Sequence, residues 1–331
     1  MTGAREPIAL FGLGWDAALV ERVAHLLGVP RAAVEERDFE DGEHKARPLE
    51  SVRGRDVYLL TSLHAEPSAS VDDKLVRALF LLGALRDAGA ARLTVAAPYL
   101  CYARKDRRTQ PRDPITTRYV ATLFEAVGVD RFVGLDVHDL AAFENAFRIP
   151  TVHLEAADAL IDALLTDPGS GLAGVRGVGA REEVVVVSPD PGGVKRADRF
   201  RARLEARLAR PVGFAVMEKH RSGGQVRSGA LVGDVAGRVA ILVDDLVASG
   251  TTLVRAGQAC LAHAATRVLA AVTHAVYTEA ALATLATDTL ARIWITDSVP
   301  PSRYPPAWVA RRFAVVDCAP LFAALLQRLR A

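Results

Sequence analysis

The sequence predicts an α/β protein of two domains, each with a mostly parallel sheet flanked by helices. Three observations carry that expectation. The chain has 331 residues, more than one ordinary core holds, and chains of this length divide into domains. Short β-like runs alternate with helical stretches almost throughout, the pattern of βαβ units. The runs Val184–Val187 and Val239–Val243 are apolar without alternation, as expected of strands covered on both faces.

Taken in order, strands are expected over Ile8–Leu13, Asp56–Leu60, Leu93–Ala97, Phe132–Leu135, Val184–Val187, Val239–Val243, Val268–Thr273, Arg292–Thr296 and Ala314–Val316. Helices are expected over Asp16–Leu27, Val71–Ala88, Thr116–Ala126, Ala156–Leu165, Gly193–Leu208, Thr252–Ala264 and Ala319–Leu329. Asp167–Glu183 is rich in glycine and charge and reads as a surface loop, and the four prolines of Pro300–Trp308 read as an extended connector. A domain boundary is expected around Arg148–Thr151, which leaves two halves of ordinary domain size.

Composition narrows the function classes. Half the residues are hydrophobic, yet no run of about 18 uninterrupted apolar residues occurs, so no membrane span is expected. Met1–Pro7 lacks the basic-then-apolar layout of a signal peptide. Cys101, Cys260 and Cys318 are distant and odd in number, suggesting neither a disulfide framework nor a metal cluster, and a cytoplasmic protein is the default. The net charge of +2 argues against a nucleic-acid partner. Only five of the 41 basic residues are lysine (Lys45, Lys74, Lys105, Lys195 and Lys219), and a lysine retained in an arginine-using chain hints at a role that arginine does not fill.

The strongest chemical signal is the strand Val239–Val243 followed by Asp244, Asp245, Leu246, Val247, Ala248, Ser249, Gly250, Thr251 and Thr252, and then a helix with Leu253, Ala256, Cys260 and Ala264 on one face. A strand running into a tight loop that opens a helix offers backbone N–H groups and hydroxyls to a phosphate monoester. Gly250 allows close approach, and the paired acids at the strand's carboxyl end can accept hydrogen bonds from adjacent sugar hydroxyls. A bare helix cap requires neither the paired acids nor the buried strand.

Other segments are ambiguous by themselves. Five basic residues between Arg104 and Arg112 read either as a solvated loop or as a grip for a polyanion such as ATP. Phe39-Glu40-Asp41-Gly42-Glu43 reads as a surface turn, although an aromatic ring can stack on a base. His138 and Asp190 follow strands, where a lone histidine is more often structural. Met217–Arg221 precedes Ser222-Gly223-Gly224 and reads as a helix end or as a loop with suitable hinges.

Together these segments resemble the ribose-phosphate diphosphokinases, in the family's order and from about Phe39 to Pro300. Val243–Thr252 looks like the phosphoribosyl-diphosphate loop shared with type I phosphoribosyltransferases, and Val232–Asp245 is similar to the diphosphokinases in particular. The resemblance implies two phosphoribosyltransferase-like domains: 1–152, joined by the C-terminal segment 306–331, on the ATP side, and 153–305 on the ribose 5-phosphate side. It implies transfer of the β,γ-diphosphoryl group of ATP to the 1-hydroxyl of ribose 5-phosphate, with Mg2+ held in part by His138 and Asp190. Lys219 and Arg221 match the catalytic cations of a mobile loop. Arg104, Lys105 and Asp106 match ATP-contacting residues. Phe39, Asp41 and Glu43 match residues that hold adenine from a neighbouring subunit, which implies a homo-oligomer, a dimer or a hexamer. Asp244, Asp245, Ala248, Ser249, Gly250, Thr251 and Thr252 match the ribose 5-phosphate site.

Three departures stand out. Lys105 replaces a glutamine, Ala248 replaces a frequent acid, and Leu321–Ala331 lacks the serine-containing tail of the phosphate- and ADP-regulated class, so the chain looks closer to the non-allosteric classes. A phosphoribosyltransferase would share the 244–252 loop but would not need Phe39–Glu43, Arg104–Asp106 or Lys219–Arg221. A non-catalytic paralogue would not need to retain Lys219, Arg221, His138 and Asp190.

Overall fold

The structure is a computed structural model that describes residues 8–172, 183–218, 220–222, 225–227, 230–276, 278–301 and 304–330. The chain divides into two compact units, Met1–Glu155 with Cys318–Ala331, and Ala156–Asp317.

Unit 1 comprises β1 (Ala9–Phe11), α1 (Ala17–Leu27), β2 (Val34–Asp38), β3 (His44–Pro48), β4 (Asp56–Leu60), α2 (Val71–Asp87), β5 (Arg92–Ala97), α3 (Thr116–Ala126), β6 (Arg131–Leu135), α4 (Leu140–Ala146) and β7 (Thr151–Leu154). Its main sheet runs β1-β4-β5-β6-β7, every pairing parallel. Leu59, Val95 and Phe132 pack with Leu82 of α2 and Phe124 of α3. α2 starts where the sequence places it because Ser70 and Asp73 form a capping box: Asp73 N–H donates to Ser70 Oγ (3.1 Å) and Ser70 N–H to Asp73 Oδ2 (2.8 Å). β2 and β3 form a separate antiparallel hairpin.

Unit 2 comprises α5 (Ala157–Thr166), β8 (Val184–Ser188), α6 (Val194–Leu208), β9 (Gly213–Met217), β10 (His220–Ser222), β11 (Gln225–Arg227), β12 (Leu231–Val232), β13 (Val239–Val247), α7 (Thr251–Ala262), β14 (Arg267–Ala275), α8 (Glu279–Thr284), β15 (Arg292–Thr296), α9 (Pro306–Arg312) and β16 (Phe313–Val316). Its seven-stranded sheet runs β12-β9-β8-β13-β14-β15-β16, with only the β12–β9 pairing antiparallel. β8 is buried at every position, as its unbroken valines required. The last helix, α10 (Ala319–Arg330), belongs to unit 1 and packs on α1.

Several expectations change. The boundary expected around Arg148–Thr151 lies just ahead of β7, which starts at Thr151 and pairs with β6, and the division falls after Glu155. The segment 306–331, expected to join unit 1 whole, is split. Residues 306–317 stay in unit 2 because β16 adds to β15, and only 318–331 return. The expected connector Pro300–Trp308 instead contains the start of α9, whose Pro306 occupies the first helical position, where no N–H is needed. Within the expected loop Asp167–Glu183, Ser170 and Leu172 are fully buried, and residues 173–182 lie outside the described residues. Met217 ends β9 and His220–Ser222 form the strand β10, where a helix end or a loop was expected.

Candidate functional site

In unit 2, β13 extends to Val247, four residues beyond the expected strand, so Asp244 and Asp245 belong to the strand and not to the loop. Strand pairing with β14 continues through Asp244 and Leu246 and so fixes the backbone that carries both acids. Asp245 is almost fully buried. Burial, first, and then the charge of Asp245 push the Asp244 carboxyl well above the usual carboxylate range, with Asp190 adding to the effect. Arg196, in the first turn of α6, opposes it: its guanidinium stands 3.2 Å from Asp245 Oδ1 and 3.6 Å from Asp244 Oδ1.

The loop that follows is built around Gly250, whose φ of +79° is left-handed. A side chain there would also collide with Leu285, whose nearest carbon would lie 2.6 Å from a Cβ. Glycine therefore satisfies two constraints, backbone conformation and space. Gly250 caps the N-terminus of α7. Ser249 Oγ lies 3.1 Å from Thr251 Oγ1, and Thr251 N–H donates to Ser249 Oγ (3.4 Å). Thr252 is exposed in the same turn, and Ala248 O accepts from Thr278 N–H (3.1 Å), which ties the loop to the start of α8.

Asp190 follows β8. Its Oδ1 accepts from Gly193 N–H (3.1 Å), and its carbonyl accepts from Ser188 Oγ (2.7 Å). The same turn leads into α6, so one connection presents both Asp190 and Arg196. Sequence reasoning missed Arg196 because α6 carries Arg196, Arg199, Arg201, Arg203 and Arg207 with nothing to single one out. The available signal was its position one turn into a helix that follows a strand end.

Of the expected catalytic cations, Lys219 lies outside the described residues, as do Gly223 and Gly224, and Arg221 sits in β10 opposite Val226.

In unit 1, Phe39, Asp41 and Glu43 occupy the tip of the β2–β3 hairpin. Phe39 N–H donates to Glu43 O (2.8 Å), and Glu43 N–H donates to Asp41 Oδ1 (3.1 Å). Phe39 is exposed, with the Arg37 guanidinium 5.1 Å from its ring centroid. Arg104 is exposed, and Lys105 and Asp106 are half-buried, in the loop after β5. The Lys105 ammonium bonds to Asp113 and to Thr109 Oγ1 (3.3 Å). His138 is exposed beyond β6, two residues after Asp136, a non-glycine residue held at φ +38°. Backbone strain of that kind is often kept at functional sites.

A second cluster in this unit was not anticipated. Asp16 is buried, and its Oδ1 accepts from Ser62 N–H (3.0 Å). Burial raises its pKa to about 7. Nearby, Lys74 is fully buried, with its ammonium 3.4 Å from Glu66 Oε2, 3.4 Å from His64 Nε2 and 5.0 Å from the Trp15 ring centroid.

Known proteins share the sequence and fold of most of this chain. Residues 8–128 match the family model described as the N-terminal domain of ribose phosphate pyrophosphokinase, and residues 225–330 match the phosphoribosyl synthetase-associated domain. Ribose-phosphate pyrophosphokinase 1 of Streptococcus pyogenes is 34% identical over 295 residues, covering 88% of this chain and 86% of that protein. Ribose-phosphate pyrophosphokinase of Caldanaerobacter subterraneus is 36% identical over 312 residues, covering 94% and 91%. The crystal structure of phosphoribosylpyrophosphate synthetase from Mycobacterium smegmatis superposes with a TM-score of 0.83 at 30% identity, over 98% of this chain and 99% of that one. A strand-borne acid pair, a glycine-capped helix and similarity along nearly the whole chain lead to one assignment: the protein belongs to the ribose-phosphate pyrophosphokinase family.

Proposed function

We propose that the protein transfers the β,γ-diphosphoryl group of ATP to the 1-hydroxyl of ribose 5-phosphate, giving 5-phosphoribosyl 1-diphosphate and AMP. The observation that carries this reading is the cradle of unit 2: two acids on the end of β13, followed by a glycine-capped helix N-terminus. The N–H groups and hydroxyls of Ser249–Thr252 would receive the 5-phosphate, since a helix N-terminus favours an anion. Asp244 and Asp245 would accept hydrogen bonds from the ribose hydroxyls, and Ala248 would line the loop. Arg104 and Asp106, with Lys105 beside them, would take the triphosphate. Phe39 would stack on the adenine, with Asp41 and Glu43 receiving its amine, from a neighbouring subunit in a homo-oligomer.

In the reaction the 1-hydroxyl oxygen forms a bond to the β-phosphorus, the bond from that phosphorus to the bridging oxygen breaks, AMP departs with that oxygen, and the hydroxyl proton is released. Transfers of this class depend mainly on positioning and charge stabilisation. Lys219 and Arg221 would offset the charge that grows on the bridging oxygen.

The acids fit a magnesium ion. Their donors are hard oxygens, and the pressure that burial, Asp245 and Asp190 exert on Asp244 is one that a divalent cation would offset. Within unit 2, Asp190 would help to hold it. When bound it supplies charge neutralisation at the diphosphoryl oxygens.

Purified protein given ATP, ribose 5-phosphate and magnesium is expected to release AMP without any nucleobase. Absence of AMP, with pyrophosphate release only when a nucleobase and phosphoribosyl diphosphate are supplied, would move the protein to the phosphoribosyltransferases.

A further inference from the structure

We infer that Lys105 is a positioning residue which, through Asp113, sets the loop that presents Arg104 and its neighbouring arginines. Lys105 stands where a glutamine is expected, so the structure has to account for an added charge in this loop. That charge is spent within the loop. One oxygen of Asp113 accepts from the Lys105 ammonium, from Thr109 N–H (2.9 Å), from Thr109 Oγ1 (2.8 Å) and from Gln110 N–H (3.0 Å). These donors hold the Asp113 carboxyl far below the usual carboxylate range, the Lys105 bond contributing most.

The same two residues anchor the loop at other points. Arg108 Nε donates to Asp113 O (3.2 Å), and Lys105 O accepts from Thr117 Oγ1 (3.3 Å) and Thr116 Oγ1 (3.4 Å) at the start of α3. Tyr102 and Arg112, at either end of the segment, take left-handed backbone angles of +57° and +69°. Non-glycine residues hold such angles only where surrounding bonds determine them. Arg104, Arg107, Arg108 and Arg112 are exposed around this closed segment. The pair therefore orders a loop whose cations face solvent, and an ordered loop loses less freedom on meeting a polyanion. A glutamine would retain a hydrogen bond to the Asp113 carboxylate but would lose the ion pair.

The consequence for nucleotide binding rests on the function proposed above; the loop geometry does not, and the experiment separates them. Lys105→Gln, Asp113→Asn, the double variant and Lys105→Arg are compared in two assays. In the first, trypsin digestion of the ligand-free protein is followed by mass spectrometry at Arg104, Arg107, Arg108 and Arg112. Each single variant is expected to be cut roughly 3–10-fold faster at these sites, the double variant no faster than the more sensitive single, and Lys105→Arg near the parent rate. In the second, steady-state kinetics are expected to show KM for ATP raised roughly 3–10-fold in both singles, kcat within about twofold, and KM for ribose 5-phosphate unchanged. Additive effects of the two substitutions, or a raised KM in Lys105→Gln with Asp113→Asn at parent values, would overturn the inference and make Lys105 a direct ATP contact. Unchanged cleavage in both singles would also overturn it. A chain that makes no phosphoribosyl diphosphate would still be judged by the cleavage assay, so failure of the proposed function is distinguishable from failure of the clamp.

Discussion

The two loops that face chemistry in this molecule are made by different means. The 244–252 segment is written into the backbone: a strand buried through its first five residues carries the acids, Gly250 supplies a left-handed angle in a space closed by Leu285, and α7 opens at once. The 102–113 segment is tied by side chains, with the Asp113 carboxylate as its centre and its arginines in solvent. The first gains rigidity from packing and strand pairing. The second gains it from charge-assisted hydrogen bonds, which are individually weak when exposed and more effective when several share one acceptor. If the two segments bind as proposed above, affinity for ribose 5-phosphate is preset by the backbone, whereas affinity for ATP can be adjusted by single charge substitutions.

Experiments can test that contrast, the largest expected effect on turnover first. Lys219→Ala is expected to lower kcat by roughly 10²–10³, the usual cost of one well-placed cation, while leaving both KM values within a few-fold. Near-normal turnover would remove Lys219 from the mechanism. Gly250→Ala places a methyl group against Leu285 at a left-handed residue, and kcat/KM for ribose 5-phosphate is expected to fall about 10–100-fold with KM for ATP unchanged. Adding Leu285→Ala should recover part of that loss by relieving the collision but not the backbone strain, and recovery to the parent value would show that conformation was not limiting. Arg196→Gln removes the cation beside Asp244 and Asp245, and an effect of roughly 10-fold on ribose 5-phosphate alone is expected. An equal effect on ATP would break the assignment of this cluster to the sugar.

The last expectation concerns stability. Asp16 keeps its proton in the folded chain up to about pH 7, against an ordinary value of 3.8. The folded state then binds more protons than the unfolded state between those values. The contribution is full below about pH 4 and is lost as pH rises through 7, by up to about 4 kcal/mol. Denaturant unfolding at pH 5 and pH 8 should show the loss, and Asp16→Asn should flatten it. An unchanged pH slope in that variant would assign the dependence to other groups.

How much was legible beforehand varies with the kind of interaction. Strands such as Asp56–Leu60 and Arg292–Thr296, and the helix Thr116–Ala126, match their expected bounds because apolar periodicity and buried runs are local properties. β7 and β9 were not anticipated, since short half-buried strands such as Thr151–Leu154 declare themselves only beside a partner. The lysine bias pointed to real particulars but not to one role. Lys45 pairs with Glu35 on the hairpin, Lys74 is sealed in a core, Lys105 clamps a loop and Lys195 is exposed.

By itself the sequence determined the two-domain α/β character, the acid pair and the glycine-capped turn into α7, because each depends on residues adjacent in the chain and on backbone preferences that adjacent residues set. Only the tertiary structure decided that Arg196 meets Asp244 and Asp245, that β16 stays in unit 2 while α10 returns to unit 1, and that Asp16 is buried with a raised pKa. Those outcomes depend on desolvation and on partners distant in sequence, and a single chain of letters records neither until the sheets form.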